Sequence, residues 1–302
     1  MSNQASSNTA NGFPLMGETS KQLSPVGLPW IGGKKEKFKV YSSFFPGNIQ
    51  TLVDPFAGGG TITFSTPADT IISNDFDRNI INLYKVIQEN ENWETILNYE
   101  RGKENFKKAH KALRNSCIYL TELTRAKYMV ADCFMSYSCA RRSFVQSDET
   151  PKQYRQSLEK CLYPMRKAAT EKKIEFICGD ALELVEKYKE MENVFCFADP
   201  PYMNDTIKDN VYYKGMLSNN QHERLAKSLS QYKGPVMLCG YRGKFSYLYD
   251  RHLANAGFHC YKIMDTHAHS VQTAPGGPRP KRTEYVWTNY ILPGLKEVDI
   301  KE

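Results

Sequence analysis

The chain has 302 residues, 41% of them hydrophobic, and a net charge of +7. This length suffices for one sizeable core and a small second domain. No apolar run approaches the roughly 20 residues that cross a bilayer, which excludes a membrane-spanning helix and indicates a protein without a membrane partner.

The first 25 residues, Met1 to Pro25, are rich in Ser, Asn, Thr and Gly and lack the basic-then-apolar pattern of a signal peptide. They predict a disordered lead. The eight cysteines are scattered without a C-x-x-C pair, and several lie in apolar runs. That distribution is typical of buried free thiols in a reducing cytoplasm rather than of zinc sites or disulfides.

Apolar runs bounded by turn residues predict seven strands, at Ile49–Val53, Thr70–Ser73, Ile174–Cys178, Val194–Ala198, Pro235–Gly240, Phe258–Met264 and Glu284–Tyr290. Helical patterns lie between most of them, at Arg78–Gln88, Ala181–Lys189, Asn219–Gln231 and Lys244–Ala256. Alternating strands and helices predict an α/β fold with a mainly parallel sheet. Because no helical segment joins the last two strands, we expect a Rossmann-like sheet of seven strands with an antiparallel last strand.

One long segment, from about residue 91 to residue 171, interrupts the alternation with a basic, helical pattern. Leu97 to Lys173 contains 17 Lys/Arg and eight Asp/Glu, a balance of +9, so the other residues together carry about −2. A basic module inserted into a near-neutral body suits contact with a polyanion, and a solvated helical surface is the alternative. We therefore expect an inserted helical domain at 91–171 and a catalytic domain at 26–90 and 172–302.

The first predicted strand leads into a glycine-rich turn, Asp54-Pro55-Phe56-Ala57-Gly58-Gly59-Gly60-Thr61. Glycines allow positive φ and the close approach of a ligand. Asp75 follows Asp54 by 21 residues, at the end of the next strand, where an acid accepts hydrogen bonds from ribose hydroxyls. Because the motif is neither G-x-G-x-x-G nor a triphosphate loop, it favours a nucleoside without phosphates over a dinucleotide. A tight turn without a ligand is the alternative.

A second motif, Asp199-Pro200-Pro201-Tyr202, ends the apolar run Phe195–Ala198. An aromatic amine is a poor nucleophile, because its lone pair is delocalised into the ring. The Asp199 carboxylate and the Pro200 carbonyl could accept its two hydrogens and restore the lone pair, while the prolines fix the chain and Tyr202 stacks on the base. Such a base must be flipped out of a duplex. An ordinary strand-ending turn is the alternative.

Together these residues resemble the Dam-like family of DNA adenine methyltransferases (alpha class, DPPY motif) from Leu28 onward. Trp30-Ile31-Gly32-Gly33-Lys34 is similar to the family's N-terminal motif. The resemblance implies S-adenosylmethionine as the cofactor, Lys34 as the partner of its methionine carboxylate, and Trp30 and Gly33 as lining residues. It places Asp180 near the cofactor's adenine. The implied cofactor-binding set is Trp30, Gly33, Lys34, Asp54, Phe56, Ala57, Gly58, Gly59, Gly60, Thr61, Asp75, Asp180 and Asp199.

The resemblance implies methylation of the N6 amine of a flipped-out adenine in double-stranded DNA, in the cytoplasm of a bacterial or phage-infected cell. It implies that the insertion is the target-recognition domain and that a companion restriction endonuclease is a further candidate partner. The oligomeric state stays open. The hairpin of relatives that read GATC is missing, and Phe134–Val145 stands in its place, so that target does not carry over. The alternatives are cytosine-N4 methylation, RNA adenine methylation and an inactive DNA-binding relative. Cytosine-N4 enzymes more often have Ser before Pro-Pro, so Asp199 argues against the first of these.

Five residues are candidates for DNA contact: Arg141, Arg142 and Phe144 in the insertion, and Arg279 and Lys281 in the loop before the last strand. The first three combine charge with an aromatic wedge, and helix-end packing is the alternative. For the loop, a plain connection is the alternative. His267 and His269 lack a third ligand nearby, so we predict no metal site.

Overall fold

A mixed sheet of eight strands lies at the centre of the computed structural model, which describes residues 9–10, 13–115, 117–139, 141–203, 216–243, 247–267 and 281–300. The strands in chain order are β1 (Thr9–Ala10), β2 (Phe13–Pro14), β3 (Thr51–Asp54), β4 (Thr70–Asn74), β5 (Lys173–Ile177), β6 (Val194–Ala198), β7 (Val236–Tyr241), β8 (His259–His267), β9 (Lys281–Thr288) and β10 (Glu297–Val298). β1 and β2 form a separate two-stranded pair.

The helices that accompany these strands are α1 (Phe38–Ser42), α2 (Thr61–Ser65), α3 (Arg78–Glu89), α4 (Lys103–Arg114), α5 (Glu122–Phe134), α6 (Pro151–Glu171), α7 (Ala181–Tyr188), α8 (Asn219–Ser230) and α9 (Tyr247–Leu253). Short 3-10 helices lie at Gly17–Gln22, Lys35–Lys37, Trp93–Asn98, Tyr137–Cys139 and Ala254–Ala256. No helix among the described residues is long and apolar enough to span a membrane.

The sheet order is β10-β8-β9-β7-β6-β3-β4-β5, with β5, β4, β3, β6 and β7 parallel to one another. β9 runs antiparallel to both β7 and β8. The predicted α/β sheet with its reversed C-terminal strand is therefore confirmed. The number of strands is eight rather than seven, because the two-residue β10 adds to the edge of β8. So short a strand has no alternating pattern that a sequence could reveal.

Two apolar cores cover the two faces of the sheet, because successive strand residues point to opposite sides. In β3, Leu52 belongs to one core and Val53 to the other. The core of Leu52 also contains Phe106, Met129 and Leu158, from α4, α5 and α6 of the insertion. The insertion is therefore helical, and it buries its apolar residues together with those of the sheet and α3.

Part of the lead, expected to be disordered, is ordered from Met16 onward. The amide nitrogen of Met16 donates to the Phe45 carbonyl oxygen at 2.8 Å, and the Met16 side chain is buried. The Gly17 amide nitrogen donates to the Ser43 carbonyl oxygen at 3.0 Å. These contacts cannot be predicted from the Ser- and Gly-rich composition, because backbone groups make them and the composition describes only side chains.

The position of the site follows from the sheet order. β3 has β4 on one side and β6 on the other. After β3 the chain forms the neighbouring strand on one side, β4, and only later forms the neighbouring strand on the other side, β6. In open parallel sheets a crevice forms at the carboxyl ends of the strands at such a switch point. Asp54, Asn74 and Ala198 end the three strands here.

Candidate active site

A cavity of about 270 Å³ opens at the carboxyl ends of β3, β4 and β6. It brings together the glycine turn, the acid after β4 and the Asp-Pro-Pro-Tyr motif, which lie far apart in the sequence. All predicted cofactor-binding residues except Gly60 line it, as do all four predicted catalytic residues, Asp199, Pro200, Pro201 and Tyr202. Gly60 instead precedes the first residue of α2, with φ of +77°.

The glycine turn is packed against Trp30. A Cβ on Gly59 would lie 2.7 Å from Trp30 Cβ, and one on Gly58 would lie 2.9 Å from Trp30 Nε1. The Leu28 amide nitrogen donates to the Gly59 carbonyl oxygen at 2.8 Å. The N-terminal motif and the glycine turn therefore form one unit, and the missing Cβ atoms make room for the indole as well as for a ligand.

Asp75 is held by backbone donors at the turn. Its Oδ2 accepts from the Gly58 amide nitrogen and its Oδ1 from the Asp77 amide nitrogen, both at 2.8 Å. Burial raises the pKa of Asp75 to about 6, although these two hydrogen bonds oppose the rise. Asp54 lies deeper: burial raises its pKa to about 7, against the hydrogen bond that Thr63 Oγ1 donates to its Oδ2 at 2.7 Å.

Asp199 forms an ion pair with Lys34. Lys34 Nζ lies 2.5 Å from Asp199 Oδ2, and the lysine side chain is only 4% exposed. Burial lowers the pKa of Lys34, but the carboxylates of Asp199 and Glu284 outweigh burial and raise it above its ordinary value. Burial raises the pKa of Asp199, and the Lys34 ammonium opposes this rise. Hydrogen bonds between an ammonium and a carboxylate are shorter and stronger than those between neutral groups.

Glu284 supports this pair from β9. Its carboxylate accepts from Lys37 Nζ at 2.8 Å, Tyr41 OH at 2.7 Å and Tyr202 OH at 3.2 Å. Burial raises the pKa of Glu284, but Lys34 and Lys37 outweigh it and lower the pKa to about 2. Two cations and two anions therefore balance in one partly buried cluster that fixes the Tyr202 hydroxyl.

The remaining predicted cofactor residue, Asp180, begins α7. Its Oδ1 accepts from the Leu182 amide nitrogen at 2.8 Å, and it lines the cavity. Phe56, Ala57 and Thr61 also line the wall.

Arg141, a candidate for DNA contact, lines the cavity. It is 9% exposed, with Nη1 3.0 Å from Asp77 Oδ2 and its guanidinium carbon 4.4 Å from the centre of the Trp30 ring. Phe144, the predicted wedge, is half-buried and packs against Phe106 and Arg101. The insertion thus turns both side chains toward its own core and the cavity, and their contact with DNA stays a prediction.

Among the other DNA candidates, Arg142 is exposed, Lys281 is the first residue of β9, and Arg279 lies outside the described residues. His269 also lies outside them. The described residues contain no group of three His, Cys, Asp or Glu side chains that could hold a metal ion.

Sequence reasoning missed several residues of the cavity. Phe76 is 65% exposed in its wall, directly after Asp75. Asn74 donates through Nδ2 to the carbonyl oxygens of Pro55, at 2.9 Å, and Gly179, at 3.3 Å, which ties three strand ends together. Glu284 could have been found from the sequence, because it belongs to a predicted strand. An acidic side chain that faces the protein interior from a strand is rarely buried without a charged or hydrogen-bonding partner.

A family model described as D12 class N6 adenine-specific DNA methyltransferase matches residues 30–269. The chain is 24% identical over 209 residues to the type II methyltransferase M.FokI of Planomicrobium okeanokoites, covering 66% of this chain and 32% of that protein. It is 24% identical over 230 residues to the type II methyltransferase M.MjaIII of Methanocaldococcus jannaschii, covering 66% and 77%.

A third relative is the DNA N-6-adenine-methyltransferase of Escherichia phage P1, 27% identical over 188 residues, covering 57% of this chain and 23% of that protein. The chain thus spans about a third or less of the length of several relatives that it matches. The family model, in contrast, covers well over half of this chain and includes the N-terminal motif, the glycine turn, the insertion and the Asp-Pro-Pro-Tyr motif. The chain belongs to the D12 class of N6 adenine-specific DNA methyltransferases.

Proposed function

We propose that this chain methylates the N6 amine of an adenine flipped out of double-stranded DNA, with S-adenosylmethionine as the methyl donor. The observation that carries the proposal is the single cavity that joins Asp75 and the glycine turn to Asp199 and Tyr202. A nucleoside-binding end and an amine-binding end in one enclosed space fit the transfer of a group between two bound molecules.

The residues present fit S-adenosylmethionine. Gly58 and Gly59 line the cavity, where the absence of Cβ atoms makes room for Trp30, and the Asp75 carboxylate could accept hydrogen bonds from ribose hydroxyls. Phe76 offers an exposed aromatic face beside Asp75, and Asp180 offers a carboxylate for the adenine amine. When bound, S-adenosylmethionine supplies an electrophilic methyl group.

The protein's contribution at the other end is to bind and orient the amine. The Asp199 carboxylate and the Pro200 carbonyl oxygen would accept the two N6 hydrogens, which restores lone-pair character to the nitrogen. Lys34, whose Nζ lies 2.5 Å from Asp199 Oδ2, favours the ionised form of this carboxyl and holds it in place. Tyr202, whose hydroxyl is held by Glu284, would stack on the base. Catalysis then rests on positioning and on hydrogen bonds that strengthen in the transition state.

Because Asp199 lies in the wall of the cavity, the target base must leave the helix before it can reach this carboxylate. The segment from Leu97 to Lys173, which includes most of the insertion, has a positive balance of +9, so we propose that the insertion is the target-recognition domain. Arg142, exposed at the turn beside the cavity, stays a candidate for DNA contact. A companion restriction endonuclease stays a further proposal, supported by the type II names of two relatives.

The proposal is tested by incubating the chain with mixed-sequence duplex DNA and S-adenosylmethionine, then digesting the DNA and identifying nucleosides by mass spectrometry. We expect N6-methyladenine. N4-methylcytosine would overturn the choice of base. Methylation of RNA in a parallel incubation, with none of duplex DNA, would overturn the choice of nucleic acid. No methylated base on diverse DNA, despite cofactor binding, would indicate a binding protein without catalysis.

Cofactor affinity is expected to fall at acidic pH. The folded-state pKa of Asp75 is about 6, above its ordinary value, so the carboxylate is ionised above pH 6 and becomes protonated as the pH falls through that value. A protonated acid loses its charge and one acceptor. At pH 5 the Kd of S-adenosylhomocysteine should therefore be about tenfold higher than at pH 8.

Calorimetric titrations between pH 5 and pH 8 measure this change, with Asp75→Asn as the control. The amide variant should bind more weakly throughout and lack the step near pH 6. A step that persists in Asp75→Asn would assign the titration to another group, of which Asp54, with a pKa of about 7, is the first to examine.

A further inference from the structure

Among the residues that the structure describes, two cationic side chains line the cavity, Lys34 and Arg141. The proposed cofactor ends in an amino acid whose carboxylate needs a cation or several donors in a partly buried site. Family resemblance assigns that carboxylate to Lys34. The contacts of the two cations favour a different assignment.

The three N–H groups of the Lys34 ammonium already have three acceptors. Nζ lies 2.5 Å from Asp199 Oδ2, 3.2 Å from Tyr202 OH and 3.4 Å from the Gly32 carbonyl oxygen. An ammonium has three donors and no more. A further carboxylate would have to displace one of these acceptors, and the nearest of them is Asp199, the proposed catalytic residue.

Arg141 retains free donors. Its Nη1 bonds Asp77 Oδ2 at 3.0 Å and contacts Met129 Sδ at 3.4 Å, whereas Nε and Nη2 have no partner among the residues that the structure describes. A guanidinium has five donors in a planar fork that matches a carboxylate. One such fork can bind Asp77 on one side and a second carboxylate on the other.

Other residues of the insertion hold the backbone of Arg141 in place. The Arg141 carbonyl oxygen accepts from Arg114 Nη2 at 2.6 Å, and its amide nitrogen donates to Ser136 Oγ at 3.1 Å. These contacts maintain a φ of +54°, a left-handed conformation that residues with a Cβ rarely adopt. The side chain then lies across the Trp30 ring, beside the glycine turn.

We propose that Arg141 is a cofactor-binding residue whose guanidinium pairs with the carboxylate at the amino-acid end of S-adenosylmethionine. The insertion thereby supplies one wall of the cofactor site, and Lys34 pairs with Asp199 rather than with the cofactor. This inference rests on the proposed function only for the identity of the cofactor, and it does not depend on methyl transfer.

Calorimetry with two ligands tests the assignment. S-adenosylhomocysteine has the amino-acid end, and 5′-methylthioadenosine lacks it. Arg141→Gln should weaken binding of S-adenosylhomocysteine by about 10- to 100-fold, the range for a charged hydrogen bond, and change that of 5′-methylthioadenosine by less than about twofold. Arg141→Lys keeps the charge without the fork and should lose less. Arg251→Gln, at an exposed arginine of α9 outside the described lining of the cavity, is the control and should bind both ligands like the wild type.

Unchanged affinity of 5′-methylthioadenosine shows in the same titrations that the pocket of a variant is folded. Equal losses for both ligands would show that Arg141 only shapes the pocket, which overturns the assignment. A selective loss in Lys34→Gln, with none in Arg141→Gln, would return the carboxylate to Lys34. A wild-type chain that binds neither ligand would contradict the proposed function, whereas one that binds S-adenosylhomocysteine no better than Arg141→Gln overturns this inference alone.

Discussion

Asp199→Asn is expected to lower kcat for methyl transfer by about 10³-fold, comparable with the loss of one preorganised hydrogen-bonding group in other enzymes. The amide cannot accept as the carboxylate does, and it leaves the buried Lys34 ammonium without its anion. An unpaired buried charge destabilises a protein by about 3–5 kcal/mol, so the melting temperature should also fall. Single-turnover rates, calorimetry with S-adenosylhomocysteine and thermal unfolding measure the three effects.

The double variant Lys34→Met/Asp199→Asn separates chemistry from stability. Methionine fills the space of the lysine without a charge, so the double variant should melt above Asp199→Asn and remain inactive. Recovery of activity together with stability would contradict the role of Asp199 as the acceptor of the amine hydrogen. The rate loss would then be a consequence of the unpaired lysine.

Gly60→Ala is expected to destabilise the protein far more than Gly257→Ala. Both glycines have nearly the same left-handed φ, +77° and +79°. A Cβ on Gly60 would lie 2.6 Å from Phe64 Cε2 and 2.8 Å from Tyr84 OH, whereas a Cβ on Gly257 has nothing within 4 Å. Both variants lose about 1–2 kcal/mol to the backbone, and overpacking costs Gly60→Ala about 1–3 kcal/mol more.

Thermal and urea unfolding of the two variants measure this difference directly, because the matched φ cancels the backbone cost. The neighbours of Gly60 cannot yield easily, since Phe64 and Tyr84 are buried rings in edge-to-face contact, with centroids 5.1 Å apart. Equal destabilisation of the two variants would show that the turn relaxes, and that the glycine is required for its φ alone.

The sequence predicts those parts of the site that depend on backbone geometry. The glycine turn, Asp75 and Asp199 each follow a strand, and parallel strands bring their carboxyl ends to one edge of the sheet. Apolar runs and turn residues report strand ends well, so these residues could be placed together before the structure was known.

Pairings between distant side chains are not predictable in the same way. Lys34 and Asp199 are 165 positions apart, and nothing in either motif shows that they meet. Arg141 reaches the cavity through a left-handed backbone conformation at a non-glycine residue, which no local propensity favours. Its position depends on Arg114 and Ser136, contacts that form only when the insertion folds.

The order of the strands also bears on synthesis. Thr51 of β3 pairs with Val194 of β6, and Thr70 of β4 pairs with Lys173 of β5, so each inner strand finds an outer neighbour about 100 or more residues later. While the insertion is being translated, β3 and β4 can pair only with each other, and both outer edges stay open. Translation at about 5–20 residues per second takes several seconds to pass through the insertion, and during that time the nascent chain contains an apolar, two-stranded intermediate. We expect this chain to be most prone to aggregation, and most dependent on chaperones, in that interval.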